Sequence, residues 1–234
     1  MSLDRDHLKR TAAQRAVEFV ESGMVVGLGT GSTAGFVVEQ LASRVARGLA
    51  VIAIPTSERT AALARRLGIP LASFAEQRRI DLAIDGADEV QRATLDLIKG
   101  RGGALLREKI VAAASERFVV VVDQEKLVDR LGEHAPVPVE VVQFGWQATA
   151  AALAKLGADP ELRQIGGRPF VTDGGNFIVD CQFGPLDDPP HVERLIKMTV
   201  GVVESGLFIG RSSAVVVATP GGVDIMTGTG GKVR

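Results

Sequence analysis

The chain has 234 residues, of which 46% are hydrophobic and 24% charged, with a net charge of −1. This is the balance of a globular protein with a sizeable core, either one large α/β domain or a domain with a smaller insert. Lys and Arg are scattered, Trp146 is the only Trp and Tyr is absent, so a nucleic-acid surface, which needs a concentrated positive field and stacking aromatics, is disfavoured. The only cysteine, Cys181, excludes an intrachain disulfide and fits a reducing compartment. Residues 1–10 are charged, with no secretory-type apolar run, and no stretch approaches the ~20 apolar residues of a membrane span. The expectation is a cytoplasmic protein with no membrane partner.

In chain order, Leu8, Ala12, Ala16, Phe19 and Val20 recur at helical spacing, and Gly23 suits a helix stop. Residues 24–28 form a short apolar run and predict a buried strand. Helical spacing resumes over 36–45. A second strand over 49–54 is cut off by Pro55. Ser57 can cap a helix that runs to Leu67 and ends at Gly68. Residues 82–84 and 118–122 predict two more strands, with a helix over 104–114 between them. Apolar strands alternating with helices predict an α/β, Rossmann-like main domain built on a parallel sheet covered on both faces. Ligands bind such sheets at the carboxyl ends of the strands. Three polar loops, 29–33, 85–88 and 99–103, follow strand-like runs and are expected to converge on that edge.

From Pro136 the pattern changes. A strand over 137–142 and a helix over 147–156, ended by Gly157, come first. Runs at 170–172 and 176–181 flank Asp173-Gly174-Gly175, a hairpin signal, and a short helix covers 192–198. This order predicts a smaller α+β (ferredoxin-like) domain. Residues 207–209 and 214–217 read as strands returning to the main sheet. The expected domains are 1–130 with 206–234, and the small domain at 131–205.

Each of the three loops admits more than one reading. Gly29-Thr30-Gly31-Ser32-Thr33-Ala34 offers glycines that approach an anion, hydroxyl donors, and the free amides of a helix N-terminus. Phosphate binding, a dinucleotide site of G-x-G-x-x-A type and a structural turn all remain open; no acidic residue closes the second strand, as a ribose-binding site expects. Asp85 and Asp88 could bind sugar hydroxyls or move protons, or serve as turn and cap residues. Lys99-Gly100-Arg101-Gly102-Gly103 prepares a second helix N-terminus. Glu108 in the second turn of that helix could be a general base, or an exposed partner of a neighbouring cation. Lys126, after the 118–122 strand, could meet a phosphate or face solvent. His7, His134 and His191 do not form a short metal-ligand spacing.

Taken together, three segments resemble ribose-5-phosphate isomerase, type A, in order and spacing. They are Gly27 through Ala34 (Gly-Leu-Gly-Thr-Gly-Ser-Thr-Ala), Asp85-Gly86-Ala87-Asp88-Glu89, and Lys99 through Lys109 (Lys-Gly-Arg-Gly-Gly-Ala-Leu-Leu-Arg-Glu-Lys). Weaker likeness continues at 138–141, 171–176, 206–208 and 219–223. The resemblance implies an enzyme that interconverts D-ribose 5-phosphate and D-ribulose 5-phosphate in the pentose phosphate pathway. It implies no metal, no organic cofactor, and a homodimer or larger assembly. By motif, Glu108 matches the catalytic base, while Asp85 and Lys99 match groups that handle ring opening. Substrate contacts are implied for Thr30, Gly31, Ser32, Thr33, Gly86, Ala87, Asp88, Gly100, Arg101, Gly102 and Lys126, with Lys9 a weaker match. Arg101 stands where the family often has glycine, and Leu106 where it often has threonine. Competing readings are an amino-sugar phosphate deaminase on the same fold, a non-catalytic sugar-phosphate sensor, and a nicotinamide dehydrogenase.

Overall fold

The computed structural model describes residues 2–228, with side chains from residue 6. The elements in chain order are α1 (Ser2–Val17), β1 (Val25–Leu28), α2 (Ser32–Val45), β2 (Ile52–Pro55), α3 (Glu58–Arg66), β3 (Ile80–Asp85), β4 (Glu89–Gln91), β5 (Leu97–Ile98), α4 (Leu105–Ala113) and β6 (Ser115–Asp123). They continue with β7 (Leu127–Val128), β8 (Val137–Val141), α5 (Trp146–Ala154), β9 (Asp159–Leu162), β10 (Gln164–Ile165), β11 (Arg168–Pro169), β12 (Phe177–Gln182), α6 (Pro189–Lys197), β13 (Val202–Ser205), β14 (Leu207–Phe208), β15 (Ala214–Thr219) and β16 (Gly222–Thr227). The chain divides into two units. One holds the chain up to Ala87, Arg107–Lys126 and the residues from Arg211; the other holds Asp88–Leu106 and Leu127–Gly210.

The first unit is built on a six-stranded sheet in the order β16-β15-β6-β3-β1-β2. All neighbours are parallel except the edge pair β15 and β16. The buried positions of its central strands are mostly Val, Ile, Leu and Ala, as expected where both faces are covered. Val26, Leu28, Leu82, Ile84, Val121 and Val216 pack with Ala12 and Ala16 of α1 and Val37 and Leu41 of α2. A parallel sheet aligns its carboxyl ends, so the loops after the neighbouring strands β1, β3 and β6 leave from one edge.

The second unit contains two sheets. β8, α5, β9, β12, α6 and β13 follow a βαββαβ path, and their antiparallel sheet has the order β13-β8-β12-β9, the ferredoxin-like arrangement. Val137, Val139, Val141, Leu153, Val179 and Ile196 form its core. The second sheet, in the order β14-β5-β4-β7, departs from the sequence reading. Residues 207–209 do not return to the main sheet, because Leu207 and Phe208 pair with Ile98 and Leu97. The same pairing places 88–106 and 127–130 in the second unit, where the sequence reading had 1–130 as main domain. β4 and β5 are three- and two-residue strands, too short to leave a periodic signature. β9 has no apolar signature either, since Asp159-Pro160-Glu161-Leu162 is largely polar.

Candidate active site

In the first unit, the 29–33 loop is built on hydrogen bonds that the sequence pattern did not reveal. The Thr30 amide donates to Asp85 Oδ1 at 3.1 Å. Its buried hydroxyl lies 2.7 Å from Thr56 Oγ1, 2.8 Å from Ser57 Oγ and 3.0 Å from Thr60 Oγ1. Thr60 donates on to the Gly29 carbonyl at 2.9 Å, and Thr56 to that of Leu28 at 3.0 Å. A hydroxyl has one proton and two lone pairs, so three such neighbours occupy Thr30 fully and make it an anchor of the loop. A Cβ on Gly29 would overlap the Asp85 carboxylate; glycine is required for this close approach. Gly31 is the N-cap of α2 and brings no side-chain acceptor, which suits the first amides of the helix to an anion. Ser32 is exposed there, and Lys9 Nζ reaches its hydroxyl at 3.3 Å. Lys9, a weak match in sequence, thus adds a cation at the helix N-terminus.

Asp85 ends β3 and is only 3% exposed. The same Oδ1 also accepts from the Gly86 amide at 2.7 Å, so the carboxylate is oriented by two backbone donors. Gly86 and Ala87 are half-buried, with Gly86 beside Thr33. Lys126 is half-buried in a 3-10 turn after β6, and Asp123 Oδ1 accepts from the Glu125 amide in that turn at 3.2 Å. Glu108 is 3% exposed and lies in the first turn of α4, not the second; the helix begins at Leu105 rather than 104. Its burial excludes the reading of Glu108 as an exposed surface partner. It is Arg107, one residue earlier, that pairs at the surface, with Glu58 at 2.9 Å. That pairing also occupies Glu58, the first carboxylate after β2 in the chain, where a dinucleotide would need one for its ribose.

In the second unit, Asp88 and the 99–103 turn form one structure. The Asp88 amide donates to the Ile98 carbonyl at 2.8 Å, and Asp88 Oδ2 accepts from the Arg101 amide at 2.9 Å. Lys99 is 2% exposed, its amide bonds the Gly206 carbonyl at 2.9 Å, and its ammonium lies 5.5 Å from the centre of the Phe208 ring, a cation–π distance. The turn closes through the Gly103 amide on the Gly100 carbonyl at 2.9 Å. Gly102 and the Arg101 side chain are exposed. Gly103 has no Cβ because the Phe170 ring fills that place. Lys99 follows β5, which is not a strand of the parallel sheet. Of the three loops expected on one carboxyl edge, only those after β1 and β3 leave from it. Glu89 is structural: its carboxylate accepts from the amides of Gly132, His134 and Ala135 at 2.6–2.7 Å.

Among the described residues, no three His, Cys, Asp or Glu side chains are grouped to hold a metal ion, and no helix is long and apolar enough to cross a membrane. Several solved sugar-phosphate isomerases share this fold over nearly the whole chain. A ribose 5-phosphate isomerase A from Methanocaldococcus jannaschii superimposes with a TM-score of 0.90 at 42% identity, covering 94% of this chain and 98% of the other. A D-ribose-5-phosphate isomerase solved in complex with phospho-erythronic acid gives 0.92 at 40% identity, covering 95% and 99%. The family model described as ribose 5-phosphate isomerase A (phosphoriboisomerase A) matches residues 52–222. A ribose-5-phosphate isomerase A of Gloeobacter violaceus is 62% identical over 96% of this chain and 98% of its own length. The chain belongs to the ribose 5-phosphate isomerase A family.

Proposed function

We propose that the chain interconverts D-ribose 5-phosphate and D-ribulose 5-phosphate through a cis-enediolate, as the aldose–ketose isomerase of the non-oxidative pentose phosphate pathway. The observation that carries this reading is the buried Glu108 carboxylate on a rigid helix turn, in a chain 62% identical to a ribose-5-phosphate isomerase A. The phosphate is bound by the hydroxyls of Ser32 and Thr33, the amides that open α2, and Lys9, with Lys126 as a further cation. Thr30 and Gly31 shape that loop. Asp85 and Lys99 act as the acid–base pair that opens the furanose ring. Gly86, Ala87 and Asp88 receive the sugar hydroxyls. Glu108 takes the proton from C2 and delivers it to C1. Lys99 and the amides of Gly100 and Gly102 stabilise the oxyanion that develops meanwhile, while the Arg101 amide holds Asp88. Acid–base catalysis of this type contributes about 10²–10⁴-fold, and oriented donors on the oxyanion often more.

An isomerase assay on ribose 5-phosphate, with and without chelator, tests this. Turnover to ribulose 5-phosphate is expected in both, with some solvent deuterium entering the product carbon in heavy water. Chelator-sensitive turnover with complete retention of the substrate hydrogen would point instead to a metal-dependent hydride shift. Failure on this substrate, with release of ammonia from an amino-sugar phosphate, would favour the deaminase alternative. We further propose a homodimer in the cytoplasm, to be checked by sedimentation and by cell fractionation. A monomer at micromolar concentration, or recovery in a membrane fraction, would refute those two points separately.

A further inference from the structure

We infer that Arg163, locked by Asp180, is a positioning residue that sets the direction of the donor amides in the 100–102 turn. The guanidinium uses all three of its nitrogens. Nε donates to Asp180 Oδ2 at 2.9 Å and Nη2 to Asp180 Oδ1, a bidentate pair. Nη1 donates to the Gly100 carbonyl at 2.7 Å and to the Arg101 carbonyl at 3.2 Å. The pair is largely shielded, with side-chain exposures of 14% and 23%. It also sits on a strong frame. Asp180 lies in β12 between the fully buried Val179 and Cys181, and the Arg163 amide bonds the Ile178 carbonyl at 2.8 Å.

Peptide planarity carries the consequence across the turn. No peptide bond in the described chain is cis, so each N–H points opposite to the carbonyl of the same peptide. Both carbonyls face the guanidinium. The Arg101 and Gly102 N–H groups therefore point to the opposite face of the turn. The Arg101 N–H meets Asp88 Oδ2 there at 2.9 Å. The Gly102 N–H, opposite the Arg101 carbonyl that Arg163 holds, is turned to that same face. One side chain thus fixes two donors, without itself standing on the donor face. The Arg163 carbonyl completes the frame by accepting from the Phe170 amide at 2.9 Å, and Phe170 fills the place of a Gly103 Cβ.

Lysine cannot replace this arrangement, because a single ammonium lacks the planar fork that holds a carboxylate and two carbonyls together. The inference rests on the proposed isomerase reading, in which the Gly102 amide serves the oxyanion and the Arg101 amide holds Asp88. Loss of one such donor costs about 10²–10³-fold in kcat, and a loosened donor less.

The test uses Arg163→Ala and Arg163→Lys in the full chain, with kcat, KM and inhibition by two probes. Phospho-erythronic acid is an aldonic acid whose carboxylate mimics the paired oxygens of an enediolate; inorganic phosphate lacks that feature. For both variants kcat is expected to fall about 10- to 100-fold with KM within about 3-fold. Inhibition by phospho-erythronic acid should weaken in step with kcat/KM, while inhibition by inorganic phosphate stays unchanged. Circular dichroism and Tm report folding, and Arg163→Lys decides the matter should Arg163→Ala fail to fold. Unchanged kcat in a folded variant would overturn the inference alone. So would equal weakening of both probes, the mark of a merely structural role. A parent chain inactive on ribose 5-phosphate would overturn the functional reading and this inference with it.

Discussion

Two glycine-rich turns enter helices in this molecule, and they are held in shape by different chemistry. The 29–33 loop rests mainly on neutral groups: the hydroxyls of Thr30, Thr56, Ser57 and Thr60 form a buried cluster, to which the Asp85 carboxylate adds one acceptor for the Thr30 amide. The 99–103 turn rests on a shielded ion pair, an aromatic ring and a carboxylate, two of them supplied by residues more distant in the chain. Under the proposed function the first loop binds substrate and the second serves the chemical step. Disturbing the first should therefore raise KM, and disturbing the second should lower kcat.

Glu108→Gln probes the chemical side hardest. Turnover is expected to fall at least about 10³-fold while inorganic phosphate still binds, since the amide is isosteric but no base. Near-normal activity would remove Glu108 from its role and the contrast with it. Next comes Gly103→Ala, whose methyl displaces Phe170 and with it the turn. A misplacement of this kind costs about 10²-fold in kcat, with KM little altered; a rise in KM alone would erase the distinction between the turns. Lys9→Ala works on the binding side. Removing a charge-assisted contact worth about 1.5–3 kcal/mol should raise KM about 10-fold or more and leave kcat nearly intact. A drop in kcat instead would mean that this cation serves the reaction.

Thr60→Val keeps the shape of the side chain and deletes one hydroxyl of the buried cluster. About 1 kcal/mol of stability should be lost, read as a lower urea midpoint at unchanged m-value. No loss would show that the cluster is not what holds the loop. The smallest effect is expected at Cys181, which belongs to neither turn. Burial, aided by the charge of Asp180, pushes its thiol from the ordinary 9.0 up to about 12. At about pH 8.5 the folded chain should resist iodoacetamide that labels the unfolded chain fully, because thiolate is the nucleophile. In alkali the unfolded thiol loses its proton first. The contribution of the neutral thiol to stability is thus complete below about pH 9 and lost between about 9 and 12. A Cys181→Ala variant should lack that portion of the decline.

Much of this was legible in the sequence because it depends on neighbours in the chain. The apolar strands of the main sheet, the loops at 29–33 and 85–88, and the helix carrying Glu108 all have local signatures. What stayed hidden depends on distant pairing. Residues 207–209 look like a strand of any sheet, and only the register with Leu97 and Ile98 assigns them. Arg163 and Asp180 resemble surface charges until the fold brings them to the 100–101 carbonyls. Thr30 reads as a ligand because its hydroxyl is polar. Its three hydroxyl partners come from the next strand end and helix, which no local pattern announces. Nor does spacing alone distinguish the exposed Arg107 pair from the buried Glu108 beside it.

The small sheet β14-β5-β4-β7 also bears on how the chain is made. β15 completes the parallel sheet by pairing Ala214 with Val119, so this closure waits until residues 127–210 have been synthesised. As a slack coil, that stretch would impose a large loop entropy on the pairing. β7 and β14 are instead the two edges of a four-stranded sheet, about 14 Å apart at ~4.8 Å per strand step. Once that sheet forms, the intervening chain acts as a short tether, and β15 follows β14 by only a few residues. Weakening the Leu207–Ile98 pairing should therefore slow refolding of the β6–β15 edge more than it lowers the stability of the finished protein.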